Sequence, residues 1–119
     1  ALIVEDDDNE RSLLAAYLRM RGYAVEEATD GISAIEYLKT HSNPDVVLVD
    51  MNMPRLNGAK MVSRIRHTPR WRDLRVFGVS GSERSQWRLP LGERGVDRWF
   101  CKPVDPESIV HEIDELVGV

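Results

Sequence analysis

The sequence predicts an α/β protein, a doubly wound parallel sheet of five strands with helices on both faces. Three observations predict it. Short apolar runs alternate with amphipathic segments along the whole chain. The apolar runs are β-branched and continuous, as in strands covered on both sides. The length of 119 residues suits one domain spanning residues 1–119 with one layered core.

Each element has its own signal. Leu2-Ile3-Val4 is the first strand and runs into the acids Glu5, Asp6, Asp7 and Asp8. Residues 9–21 carry Leu13, Leu14, Tyr17 and Leu18 at helical spacing, with Asp8 or Asn9 as cap and Gly22 as the stop. Tyr23 to Ala28 reads as a strand. Asp30 caps a helix whose inner face is Ala34, Ile35 and Leu38. Val46-Val47-Leu48-Val49 is the third strand. Met61, Val62 and Ile65, after Asn57-Gly58, mark the third helix.

Arg75 to Ser80 and Val96 to Cys101 supply the last two strands. Between them, residues 82–95 hold the place of the fourth helix. Pro90 removes a backbone donor and crowds the preceding turn, so this helix is expected to be short, broken or displaced. Asp105-Pro106-Glu107 opens the final helix, with a capping acid and then proline at the first helical position. Ile109, Ile113, Leu116 and Val117 form its stripe. Parallel strands joined by helices require right-handed crossovers.

Composition narrows the function. Hydrophobic residues make up 42% and charged residues 30%, ordinary for a soluble globular chain. The net charge of −4 argues against direct nucleic-acid binding. No apolar run reaches membrane-spanning length and no signal-peptide pattern is present, so a cytoplasmic, membrane-free setting is expected. The single cysteine, Cys101, excludes an internal disulfide and reads as a buried strand thiol. The chain starts at Ala1 without Met, which fits a piece trimmed from a longer protein.

Open parallel sheets place their sites at the carboxyl ends of the strands. Glu5, Asp6, Asp50, Ser80 and Lys102 all fall at such ends and are expected to meet at one rim. Clustered carboxylates repel, and a divalent cation relieves that conflict. Oxygen ligands without a Cys/His cluster suit Mg²⁺ better than zinc. With the metal screening an incoming phosphate, a carboxylate can attack phosphorus, Lys102 can pair with the phosphate, and Ser80 can donate to it.

Four blocks in this order resemble one known family. They are Val4-Glu5-Asp6-Asp7 with Arg11, Val47-Leu48-Val49-Asp50-Met51-Asn52-Met53-Pro54 with Asn57-Gly58, Ser80, and Cys101-Lys102-Pro103. Together they are similar to the response-regulator receiver domains of two-component signalling, the CheY-like family, over the whole chain. The resemblance implies a flavodoxin-like sheet of order 2-1-3-4-5. It implies Asp50 as phosphoacceptor, Asp6 and Asp50 as Mg²⁺ ligands with the Asn52 backbone carbonyl, and Glu5 acting through water. It further implies Lys102 as the phosphate-binding lysine before a cis Pro103, and Ser80 and Trp99 as switch residues. Asn52 and Ser82 fall at positions that tune the phosphoryl lifetime in the family.

Implied partners are a sensor histidine kinase or phosphotransfer protein and an output domain or target protein, with a homodimer possible in the active form. Such a chain is a stoichiometric switch, not a turnover enzyme. The helix-4 region containing Pro90 departs from the family and points to an altered output face.

Other readings are weaker. A haloacid-dehalogenase-like phosphatase needs a second acid where Asn52 stands. A receiver-like module that is never phosphorylated would ordinarily have lost the acceptor, an acid or the lysine. Nucleotide or flavin binding lacks a glycine-rich loop after the first strand. Asp7 and Asp8 read as loop and cap residues, and His41, His67 and His111 as solvated. Trp71 and Trp87 read as packing or interface residues, and the arginines from Arg64 to Arg75 as a solvated surface.

Overall fold

A computed structural model describes residues 1–51, 57–81 and 95–117. The expectations on Asn52, Ser82, Trp87 and the Pro90-broken fourth helix lie outside these residues. The described elements are β1 (Leu2–Val4), α1 (Asp8–Met20), β2 (Glu26–Ala28), α2 (Gly31–Thr40), β3 (Val46–Asp50), α3 (Gly58–Arg66), β4 (Arg75–Ser80), β5 (Arg98–Cys101) and α4 (Pro106–Val117). The strands form one parallel sheet in the order β2-β1-β3-β4-β5.

Two apolar layers sandwich the sheet, which explains why β1 and β3 are apolar at every position before the site. Leu2, Val4, Val47 and Val49 face α2 and α3, whose Ala34, Ile35, Leu38, Met61 and Ile65 are buried against them. Ile3, Val46, Leu48 and Phe77 face the opposite way, onto Ala15 and Leu18 of α1 and Ile109 and Ile113 of α4. Burying such side chains contributes about 1.5–3 kcal/mol each, so a register slip in β1 or β3 would be severe. Trp71 is part of the first layer, which settles it as a packing residue.

Local chemistry sets the helix ends. Asp30 and Asn57 cap α2 and α3 through Ser33 N (2.8 Å) and Lys60 N (2.9 Å). Asp7, rather than Asp8 or Asn9, caps α1, accepting from Glu10 N at 2.9 Å. Its extended backbone puts the cap one residue earlier than the acid run suggests. Gly22 follows α1 with φ of 95°, a conformation open to glycine.

Four other expectations need correction. β2 begins at Glu26 and β5 at Arg98, both later than the apolar runs begin. Residues 23–25 and 96–97 pack or bridge without joining the ladder. Cys101 is exposed, at the end of the strand that is last in the described sheet. Arg66 is buried at 8% exposure, not solvated. Its guanidinium donates to the carbonyls of Gly95, Arg72 and Leu74 and to Asp97 Oδ2 at 2.6–3.1 Å. Every donor of the fork is used, which is what makes the burial tolerable.

Candidate functional site

The rim at the carboxyl ends of β1, β3, β4 and β5 gathers the residues that the sequence marks. Glu5 and Asp6 follow β1, Asp50 ends β3, Ser80 ends β4 and Lys102 follows β5. Glu5, Asp50 and Ser80 are buried at 7%, 4% and 0% exposure, whereas Asp6 is exposed. One oxygen from each of Glu5, Asp6 and Asp50 lies within 4.8 Å of the other two. Among the described residues this all-oxygen group of three carboxylates could hold a metal ion.

Backbone packing aims the group. Asp50 sits on the central strand, and Met51 N donates to Val79 O at 3.0 Å just beyond it. The start of α3 presses on the same turn. A Cβ on Gly58 would stand 2.6 Å from Asp50 O and 2.6 Å from Met51 Cα, so only glycine fits there. Lys102 N donates to Ser80 O at 2.9 Å, extending the β4–β5 ladder by one step and fixing the lysine beside Ser80. The Lys102–Pro103 bond is cis, as the resemblance implies.

Arg11 stitches the loop after β1 in place. It donates to Glu5 O at 2.9 Å and Asp8 Oδ1 at 2.6 Å, and pairs with Glu27 Oε1 at 3.3 Å. Asp7 and Asp8 are thus committed to capping and to Arg11, as their residue types suggest.

The ammonium of Lys102 reaches Glu5 Oε1 and Glu10 Oε2 at 3.0 Å each, and Asp50 Oδ2 at 3.4 Å. Sequence reasoning missed Glu10. Its local signal is only that of an acid in the first turn of α1, which does not name Lys102 as its partner.

Charge is out of balance here. Burial, then Asp50 and Glu10, push the Glu5 carboxyl up to about 9, against the pull of Lys102. Glu10 is held below the usual carboxylate range by its hydrogen bonds with Glu5 and Lys102. Burial alone would lower Lys102, but Glu5, Glu10 and Asp50 outweigh it and raise the ammonium above its ordinary value.

Trp99 lies one layer below. Its ring covers Gly78, where a Cβ would come within 2.8 Å of Trp99 Cε3. Its indole N–H is buried and finds no hydrogen-bond partner among the described residues.

Beside the carboxylates a cavity of about 210 Å³ opens between α1 and residues 103–106, with Leu14, Leu48, Val79 and Val104 in its wall. Leu13 stands at its edge with 73% exposure.

A sheet of this order with acids and one lysine at its carboxyl rim defines a class, the CheY-like receivers. The family model described as the response regulator receiver domain matches residues 1–114, and the chain belongs to that family. The general function of the family is a phosphorylation-dependent switch in two-component signalling. The chain is 28% identical to the DNA-binding dual master transcriptional regulator RpaA of Synechocystis sp., over 98% of this chain and 48% of that protein. It is 25% identical to chemotaxis protein CheY1 of Helicobacter pylori, over 98% of this chain and 95% of that one. The chain therefore spans about half the length of the first relative and nearly all of the second. The solved structure of response regulator TrrA from Thermotoga maritima, in complex with Mg²⁺-BeF, superposes with a TM-score of 0.81 at 25% identity, covering 97% and 96% of the two chains. Among the described residues, no helix is long and apolar enough to cross a membrane.

Proposed function

We propose that residues 1–119 act as one receiver unit in which Asp50 accepts a phosphoryl group from the phosphohistidine of a sensor histidine kinase or phosphotransfer protein. The observation that carries this reading is the convergence of Glu5, Asp6 and Asp50 within 4.8 Å with the Lys102 ammonium 3.4 Å from Asp50.

The donor set fits Mg²⁺: hard oxygen ligands, one of them exposed and open to water. Asp6 and Asp50 would hold the ion directly and Glu5 through water, with the backbone carbonyl of Asn52 as a further ligand. Mg²⁺, when bound, screens phosphate charge and relieves the repulsion among the carboxylates.

An Asp50 carboxylate oxygen attacks phosphorus in line. The phosphorus–nitrogen bond breaks, the imidazole leaves with the electron pair and takes up a proton, and an aspartyl phosphate remains. Lys102 pairs with a phosphoryl oxygen as a point charge. Ser80 donates its hydroxyl to another, and Trp99 follows Ser80 as the conformational population shifts. Water later attacks phosphorus and restores the carboxylate, so the chain works stoichiometrically rather than as a turnover enzyme.

The cavity beside α1 has Asp50 in its lining and Leu13 exposed at its edge, which suits an apolar contact with a donor protein. The shifted conformer then acts on an output domain or a target protein, with pairing of two copies as one route. The chain's single cysteine and acidic balance suit a cytoplasmic protein that does not itself bind nucleic acid.

Incubation with Mg²⁺ and acetyl phosphate is expected to give one acid-stable, base-labile phosphoryl group per chain. Asp50→Asn is expected to abolish it while circular dichroism shows the fold intact. A label that survives in this variant overturns the assignment.

A further inference from the structure

We propose that Glu10 is a positioning residue for phosphoryl transfer: its carboxylate holds the Lys102 ammonium in competition with Asp50, and transfer requires that this contact be given up. The proposal rests on the reading of Asp50 as acceptor.

An ammonium has three protons, and Lys102 directs them at three carboxylates. The contacts to Glu5 and Glu10 are 3.0 Å, and the contact to Asp50 is the longest at 3.4 Å. The proton directed at Asp50 is held at the longest distance, so a closer grip on a phosphoryl oxygen there requires the ammonium to loosen its hold on Glu5 or Glu10.

The three are not equal candidates for release. Asp50 carries the phosphoryl group itself. Glu5 has a side chain only 10% exposed and belongs to the group of three that could hold a metal. Glu10 is 52% exposed and is not part of that group. Water can solvate its carboxylate at once when the lysine leaves, so this is the contact that costs least to break.

Both ends of the contact are anchored. Glu10 N donates to Asp7 Oδ1 at 2.9 Å within the α1 cap, and Lys102 N donates to Ser80 O at 2.9 Å. The backbones stay where they are, and the release is a change of side-chain torsions alone. Glu10 therefore sets how much of the time Lys102 is available to a phosphate at Asp50.

The test compares Glu10→Gln and Glu10→Asp with the unaltered chain. Glu10→Gln removes the charge at nearly constant shape. Glu10→Asp keeps the charge but shortens the reach by one methylene. The rate constant for labelling by acetyl phosphate is expected to rise about two- to fivefold in both, the range an exposed ion pair supplies. Urea midpoint and Mg²⁺ affinity are expected to stay near those of the unaltered chain, whereas a merely structural role would move them with the rate.

A rise in Glu10→Gln alone would assign the effect to through-space repulsion of the donor and overturn the proposal. Rates unchanged or lowered in both variants overturn it as well, with the Asp50 reading untouched if the unaltered chain still takes its label. If the unaltered chain takes no label at Asp50, the acceptor reading itself fails and this proposal falls with it.

Discussion

The two edges of the sheet handle buried charge in opposite ways. At the amino edge, the Arg66 fork is satisfied by three backbone carbonyls and Asp97, whose Oδ2 also accepts from Val76 N at 2.7 Å. At the carboxyl edge, one ammonium faces Glu5, Glu10 and Asp50, with Asp6 close by. The first arrangement is complete and has nothing left to bind. The second carries an excess of negative charge that a divalent cation can relieve, and only with that relief can a phosphate approach. The difference teaches that a fully satisfied polar cluster fixes the fold, whereas an unbalanced one trades stability for chemistry.

The largest effect on stability is expected where the cluster is complete. Arg66→Met takes the cationic partner from Asp97 and a donor from the carbonyls of Arg72, Leu74 and Gly95, and should lower unfolding free energy by about 3 kcal/mol in urea titration. Arg66→Lys should recover only part of this, because an ammonium cannot span acceptors arranged for a planar fork. A loss below about 1 kcal/mol in Arg66→Met would remove the contrast between the edges.

At the carboxyl edge the opposite sign is expected. The Glu5 carboxyl stands at about 9 in the folded, metal-free chain against an ordinary 4.5. Burial is the main cause, Asp50 and Glu10 add to it, and Lys102 opposes them. Between these values the folded chain keeps a proton that the unfolded chain releases. The Glu5 contribution is therefore fully present below pH 4.5 and is lost as pH rises toward 9. Glu5→Gln should flatten this decline and gain roughly 1–2 kcal/mol at pH 8 without metal. Added Mg²⁺ should stabilise the unaltered chain more than the variant. A variant less stable than the unaltered chain at that pH would show that the acids are not in conflict.

The smallest effect lies away from both edges. The Tyr23 hydroxyl donates to Asp114 and so ties the turn before β2 to α4. Burial, and then Asp114, push the phenol up to about 12 from 10. The folded chain keeps this proton longer than the unfolded one, so stability should fall from pH 10 to 12. Tyr23→Phe should remove that slope and cost at most about 1 kcal/mol at neutral pH. An unchanged alkaline slope in the variant would place its origin elsewhere.

Much of the site was legible because function concentrated rare residue types at strand ends. Asp50, Lys102 and the Glu5-Asp6 pair follow apolar runs whose continuity already marks buried strands. Glu10 was not legible as a partner of Lys102, since the two stand 92 positions apart and meet only once β3 and β4 have taken their places between β1 and β5. Arg66 misled for a related reason. In an arginine-rich stretch it looks like its neighbours, and only the carbonyls brought to it from residues 72, 74 and 95 make its burial possible. Cys101 misled in the other direction, because apolar strand context does not say which strand comes last in the described sheet.

The sequence by itself determined the alternation of strands and helices, the capping acids and the identity of the residues at the rim, because periodicity and capping are local. Only the tertiary structure decided which carboxylates share the Lys102 ammonium, which arginine is buried and where glycine alone fits. Those outcomes depend on distances between chain segments far apart in sequence, and on how many hydrogen-bond partners each segment brings.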